Sequence, residues 1–128
     1  MNHNNFSERM YREHILELYR NPSNFGKMKN PTKKHTEHNS FCGDEITFYL
    51  KIKDGRIKDA SFEGSGCVLS VVSSSMLAEK IRNMNISDVK KFGKKDLIDL
   101  LKIKISLARL KCVLLPLNAV VGALEKNA

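Results

Sequence analysis

Residues 45–62, EITFYLKIKDGRIKDASF, decide the fold class. The first half alternates, with Ile46, Phe48, Leu50 and Ile52 on one face of an extended chain. Asp54-Gly55 is a two-residue hairpin turn, because both residue types tolerate the left-handed backbone that such turns require. The returning run, RIKDASF, carries Ile57, Ala60 and Phe62, which break strict alternation. A bulge or bend is expected there. A lone hairpin is marginal in water, so either a third strand from residues 27–40 joins it or helices cover it.

Upstream, Ser7 is placed to cap a helix from about Glu8 to Arg20, with Phe6 before the cap and Met10, Ile15, Leu18 and Tyr19 as its apolar face. NPSNFG, residues 21–26, ends it with turn chemistry. Residues 27–40 are polar, contain Pro31 and lack periodicity, and so read as a mobile loop. Downstream, EGSGC leads into VLSVVSSSMLAEKIRN, where Leu69, Val72, Met76 and Ile81 form a helical stripe. Ser70, Ser73, Ser74 and Ser75 keep the rest of that helix small enough for another backbone to approach. Ser87 is expected to cap a short helix through Phe92, Gly93 stops it, and KKDLIDLLKI forms another. The last apolar segment, SLARLKCVLLPLNAVVGALEK, contains Pro116. Inside a helix a proline costs about 3 kcal/mol, whereas in the first turn its missing N–H costs little. The last helix is therefore expected to start near Cys112, with a longer, kinked helix as the alternative. The whole, residues 1–128, reads as one α+β domain: a helix, a small antiparallel sheet of about three strands, and helices packed on one face.

The 128-residue length suits a single core, and 41% hydrophobic with 28% charged residues is an ordinary globular composition. There is no uninterrupted apolar run of about 18 residues, so no membrane span is expected. MNHNNFSERMYREH lacks the apolar centre of a secretory signal, and a cytoplasmic location follows by default. The three cysteines are odd in number and widely spaced, which is not a disulfide framework. The net charge is +8, but the lysines are scattered, are not interleaved with aromatics, and accompany no tryptophan. That pattern favours a solvated basic surface over nucleic-acid binding. Docking to an acidic protein partner is a third reading.

Each cysteine stands at an element boundary. Cys42 sits in SFCGDEI where the loop turns into a strand, and Asp44 is two residues on, so an extended backbone would point both side chains the same way. Gly43 between them leaves the backbone free to fit a tight site. Cys67 follows a Gly-Ser-Gly loop and opens a helix; Cys112 opens another, beside Arg109 and Lys111. Helix N-termini favour anions. Three thiolates and a carboxylate complete a tetrahedral set of the kind zinc accepts. A [2Fe–2S] cluster normally takes four thiolates, so a carboxylate in one position suits a cluster that is built and given away. Spacing alone does not separate one site from three independent structural cysteines, because steps of 25 and 45 residues contain no close CxxC pair.

CGDEITFYLKIKDGRIKDASFEGSGCVLSVVSSSM, with LYRNPSNFG upstream, resembles the IscU/NifU N-terminal/SufU family of iron–sulfur cluster assembly proteins. The shared pattern is CGD at a strand start, GxGC before a Ser-rich helix, and a third Cys before the last helix. The resemblance implies an IscU/SufU-like fold in which Cys42, Cys67 and Cys112 are the family's three cysteines and Asp44 its aspartate. It implies a scaffold that accepts persulfide sulfur from a cysteine desulfurase, assembles a transient [2Fe–2S] cluster and passes it to recipient apo-proteins. In the SufU branch it implies instead a zinc-dependent sulfurtransferase, so whether the protein is an enzyme stays open. The chain departs from the family in places. Lys111 stands where IscU-type members carry His, and ISLARL lacks their chaperone-read LPPVK motif. RLKC resembles the SufU Arg-x-x-Cys, yet the SufU insertion between the second and third cysteines is absent.

On physical grounds Cys112 is the expected sulfur acceptor, with Cys42 as rival, and Arg109 is a candidate bidentate partner of Asp44 when no metal is bound. His35 and His38 are candidates for transient ligands. A basic, zinc-stapled binding module is the third functional reading. A cluster bridging two subunits, and so a homo-oligomer, is compatible with the ligand set.

Overall fold

The hairpin forms as its alternation dictates. In the computed structural model, which describes residues 4–40 and 43–126, β2 (Asp44–Lys53) pairs antiparallel with β3 (Arg56–Ser65). Asp54 and Gly55 both have positive φ, +54° and +76°, as a type I′ turn requires. The register shifts once. Lys51 faces Asp59 while Ile52 faces Ile57, so Lys58 is the extra residue of a bulge. The bulge resets the side-chain parity of β3, and Ile57, Ala60 and Phe62 all reach the core at 0% exposure.

The third strand, β1 (Lys33–Asn39), pairs antiparallel with β2 and gives the order β1-β2-β3. Residues 33–39 are therefore strand rather than loop. KKHTEHN carries no apolar alternation because a polar ring does its packing. His35 lies against the last helix at Gly122, where any Cβ would collide with the imidazole. The outer edge of β3 is bonded as well. Gly26 N–H donates to Phe62 O (2.7 Å), Phe62 N–H to Asn24 O (3.0 Å), and Asn83 N–H to Ile57 O (2.7 Å).

Among the described residues, five α-helices complete the fold. α1 (Asn4–Arg20) begins before Ser7, which lies within it and is not its cap. Its inward stripe is Tyr11, Ile15 and Leu18, at i, i+4 and i+7, while Met10 and Tyr19 point outward. α2 (Val68–Ile81) buries Val71, Val72, Leu77, Ala78 and Ile81; the expected stripe members Leu69 and Met76 are only half-buried. Its serines are buried too. Ser74 Oγ donates to Ser70 O (2.7 Å), and Ser75 Oγ donates to Ser23 O (2.8 Å), fastening the turn after α1. α3 (Ile86–Lys91) is preceded by Asn85 at the cap position, not Ser87. α4 (Lys94–Leu101) starts from Gly93, whose N–H donates to Asp96 Oδ2 (2.8 Å).

α5 (Leu110–Glu125) follows a 3₁₀ turn, Leu107–Arg109, so Cys112 is its third residue and Pro116 lies beyond the first turn. The longer helix forms, not the one starting at Cys112. Leu107–Glu125 is long and apolar enough to cross a membrane by length and composition. Arg109, Lys111 and Asn118 interrupt its apolar run, and its buried residues, Val113, Leu117 and Val120 among them, belong to the core. α5 packs on β1, β2 and α2, and α2 packs on β3.

Candidate metal centre

Asp44 opens β2 opposite Asn39 of β1. Just before it, Gly43 has φ +75° and its N–H donates to Asn39 O (2.8 Å). Gly43 is thus not the extended link expected between residues 42 and 44, and a glycine is suited to the left-handed backbone found instead. Cys42 lies outside the described residues. Cys67 is the N-cap residue of α2, in extended conformation, and its carbonyl accepts Val71 N–H (3.2 Å). Its thiol makes no bond to the helix backbone and is half-buried. Cys112 is buried at 4% exposure, and Asp44 at 5%.

These three residues meet. One carboxylate oxygen of Asp44 and the sulfurs of Cys67 and Cys112 lie within 4.8 Å of one another. Zinc–sulfur bonds of 2.3 Å in a tetrahedron place sulfurs about 3.8 Å apart, so a small contraction around an ion satisfies the geometry. Two soft thiols and one hard carboxylate form a donor set that suits zinc, and one that accepts iron less firmly than four thiolates would. The residues fit the group.

The sequence reading missed Ser70 as part of this cluster. It is fully buried, and its hydroxyl donates to Asp44 Oδ2 at 2.6 Å. The same oxygen lies 3.2 Å from Cys112 O and 3.6 Å from Cys67 Sγ. The signal was available: Ser70 is the third residue of the helix that Cys67 precedes as N-cap, the position an N-cap side chain commonly approaches. Gly66 allows the approach. A Cβ there would stand 2.9 Å from Ser70 Cβ and 3.1 Å from Asp44 Cγ.

Other candidates stand apart. Arg109 is exposed and makes no ion pair with Asp44, whose carboxylate is held by Ser70 instead. Lys111 is exposed. His35 Nε2 contacts Glu37 Oε2 (2.8 Å), and His38 Nδ1 contacts Glu45 Oε1 (3.1 Å). Both histidines lie on β1 outside the three-residue cluster. A shallow groove of about 320 Å³ runs beside His38, lined also by Ser40, Lys111 and Leu115 among others.

The chain matches the family described as the NifU-like N terminal domain over residues 10–127. It is 46% identical over 81 residues to the iron–sulfur cluster assembly scaffold protein IscU of Thermotoga maritima, covering 62% of this chain and 56% of that protein. It is 36% identical over 77 residues to the zinc-dependent sulfurtransferase SufU of Bacillus subtilis, covering 60% and 52%. The chain thus spans about half the length of these two curated relatives. With an iron–sulfur cluster assembly protein of Trachipleistophora hominis the identity is 30% over 127 residues, covering 95% and 91%. Among solved structures, one named as an iron–sulfur cluster assembly scaffold for the SUF system, from Fervidobacterium islandicum AW-1, superposes with a TM-score of 0.77. Its identity is 27%, and the match covers 93% of this chain and 99% of that one. A NifU-like N-terminal structure from Brucella abortus shares the fold, with a TM-score of 0.75 at 24% identity.

Proposed function

Because the chain belongs to the NifU-like N-terminal domain family, we propose that it is an iron–sulfur cluster assembly scaffold. The observation that carries this reading is the meeting of Asp44, Cys67 and Cys112, from three separate elements, within 4.8 Å. Cys42, three residues after the end of β1 in the sequence, is the fourth proposed ligand by its place in CGD. The cargo is a labile [2Fe–2S] cluster, delivered to apo-protein recipients.

The sulfur would come from the persulfide of a cysteine desulfurase. A scaffold thiolate attacks the outer sulfur, a new S–S bond forms, the donor's S–S bond breaks, and the donor cysteine leaves as thiolate. No net redox change occurs in that step. Cys112 is the proposed acceptor and Cys42 its rival. At 4% exposure, Cys112 receives a sulfur only when the residues over it part, so docking of the donor must open the site. Mass spectrometry of the sulfurated protein tests the assignment. Retained persulfide in Cys112→Ser, together with its loss in Cys42→Ser, would reverse the two roles.

A second reading is zinc-dependent sulfur transfer, favoured by Arg109 three residues before Cys112 and by the SufU relative. When bound, zinc would hold the thiolates of this set deprotonated until ligand exchange releases one. Anaerobic purification followed by metal and sulfide analysis separates the readings. A brown protein with acid-labile sulfide supports the scaffold; a colourless protein with one tight zinc supports transfer. Unchanged metal binding and sulfur transfer in Asp44→Ala would remove Asp44 from either.

A further inference from the structure

We propose that Ser70 is a positioning residue of this centre and that Pro116 makes its second contact available. The inference rests on the reading that Asp44, Cys67 and Cys112 hold a metal. A serine hydroxyl has one proton and two lone pairs. Here it is buried at 0% exposure and touches all three ligand-bearing residues: Asp44 Oδ2 at 2.6 Å, Cys112 O at 3.2 Å and Cys67 Sγ at 3.6 Å. The short contact to the carboxylate is charge-assisted and takes the larger share of the proton. It fixes one oxygen of Asp44 and leaves the other for a metal. The thiol of Cys67 lies 3.6 Å from the Ser70 oxygen, close enough for either group to donate.

The contact to Cys112 has its origin one turn along α5. In a regular helix the N–H of residue 116 would donate to the carbonyl of residue 112. Residue 116 is proline, which has no N–H and whose ring crowds that carbonyl. With no N–H at residue 116, that side of the carbonyl is open to the Ser70 hydroxyl, which reaches it across the α2–α5 interface. The N-terminus of α2, the start of β2 and the first turn of α5 are thereby tied at one oxygen atom. Gly66, with no Cβ, lets the three approach.

Outer partners of this kind are worth about 10–100-fold in metal affinity. The test is anaerobic titration of the reduced full-length chain with Co²⁺, reading affinity and the sulfur-to-cobalt charge-transfer band. Wild type, Ser70→Ala, Asp44→Ala and the double variant form a cycle. Ser70→Ala is expected to weaken binding about 10–100-fold with the charge-transfer intensity per bound ion unchanged, because the thiolates remain. In the Asp44→Ala background the same substitution is expected to cost less than about twofold, because its route through the carboxylate is gone. Wild-type affinity in Ser70→Ala, or an equal loss in both backgrounds, overturns the proposal. Where Ser70→Ala alone fails to fold, Ser70→Ala/Pro116→Ala is compared with Pro116→Ala, since an N–H at residue 116 then satisfies Cys112 O. A wild-type chain that binds no Co²⁺ would overturn the metal reading itself, and this inference with it.

Discussion

At the scale of single residues, the centre is held by short contacts that a sequence states only in part. Boundary positions made Asp44, Cys67 and Cys112 candidates, but only the family resemblance joined them into one set, because their spacing contains no close pair. Ser70 was not legible, because one of four buried serines on a helix reads as close packing until its neighbours are placed. Gly66 is the sharpest test of that packing. Gly66→Ala puts a methyl against Ser70 and Asp44, and both must shift. The expected result is a loss of about 1–3 kcal/mol in urea unfolding with at least tenfold weaker Co²⁺ binding; unchanged affinity would show that the cluster tolerates displacement. Tyr49 offers a test away from the site. Burial, the hydrogen bond to Glu63 and the Glu63 charge push its pKa up to about 12. The unfolded chain releases that proton near the ordinary value of about 10. The native state therefore holds the proton more tightly, and the stability this contributes is full below about 10 and lost as pH rises through about 12. Tyrosinate absorbance should show one group titrating late. Glu63→Gln should bring it down part of the way only, since burial is the larger cause; a return to the ordinary value would make Glu63 the dominant one.

At the scale of elements, the hairpin was readable to the residue and the polar strand was not. Alternation fixes β2, and Asp54-Gly55 fixes the turn, but KKHTEHN has no periodic apolar set, so its strand state comes from pairing with β2 and from His35 seated at Gly122. The bulge makes a register prediction. Deleting Lys58 removes the extra residue and leaves Ile57, Ala60 and Phe62 facing inward, so the fold should survive with a change of about 1 kcal/mol. Deleting Ser61 instead turns Ala60 outward and Asp59 inward and should abolish cooperative unfolding by circular dichroism. Equal effects of the two deletions would contradict the register. The helix starts were less legible. Ser7 and Ser87 were plausible caps, but α1 begins upstream of one and Asn85 takes the other's place. The start of α5 was misjudged because local propensity placed Pro116 in a first turn, while the tertiary contact from Ser70 meets part of its cost. Pro116→Ala should regain about 3 kcal/mol of helix propensity and lose about 1.6 kcal/mol for two buried methylenes. A net stabilisation near 1 kcal/mol is expected in thermal unfolding, and a destabilised variant would mean that packing of the proline ring outweighs the restored N–H.

At the scale of the whole molecule, the donors are 23 and 45 residues apart in the chain and meet only once β2, α2 and α5 have docked. Closing those loops in the unfolded chain carries an entropic cost, so a metal ion held by this proposed set would bind the native state in strong preference. Its effect on stability follows RT ln(1 + [M]/Kd), about 4 kcal/mol at a thousandfold excess over Kd. For a chain of this size that corresponds to a midpoint shift on the order of 10 °C. Wild type in excess zinc should show it, and Cys67→Ser or Asp44→Ala should lose most of it. The distribution of that stabilisation is the more searching measurement. α1 supplies no donor and is held by Tyr11, Ile15, Leu18 and the Ser23–Ser75 bonds. Hydrogen exchange on the metal-loaded chain should therefore slow at Gly43–Asp44, in the first turn of α2 and in the first turns of α5, with α1 left at its metal-free rate. Equal protection of α1 would mean that the N-terminal helix and the centre open as a single cooperative unit, and that loading the site also clamps the helix in place.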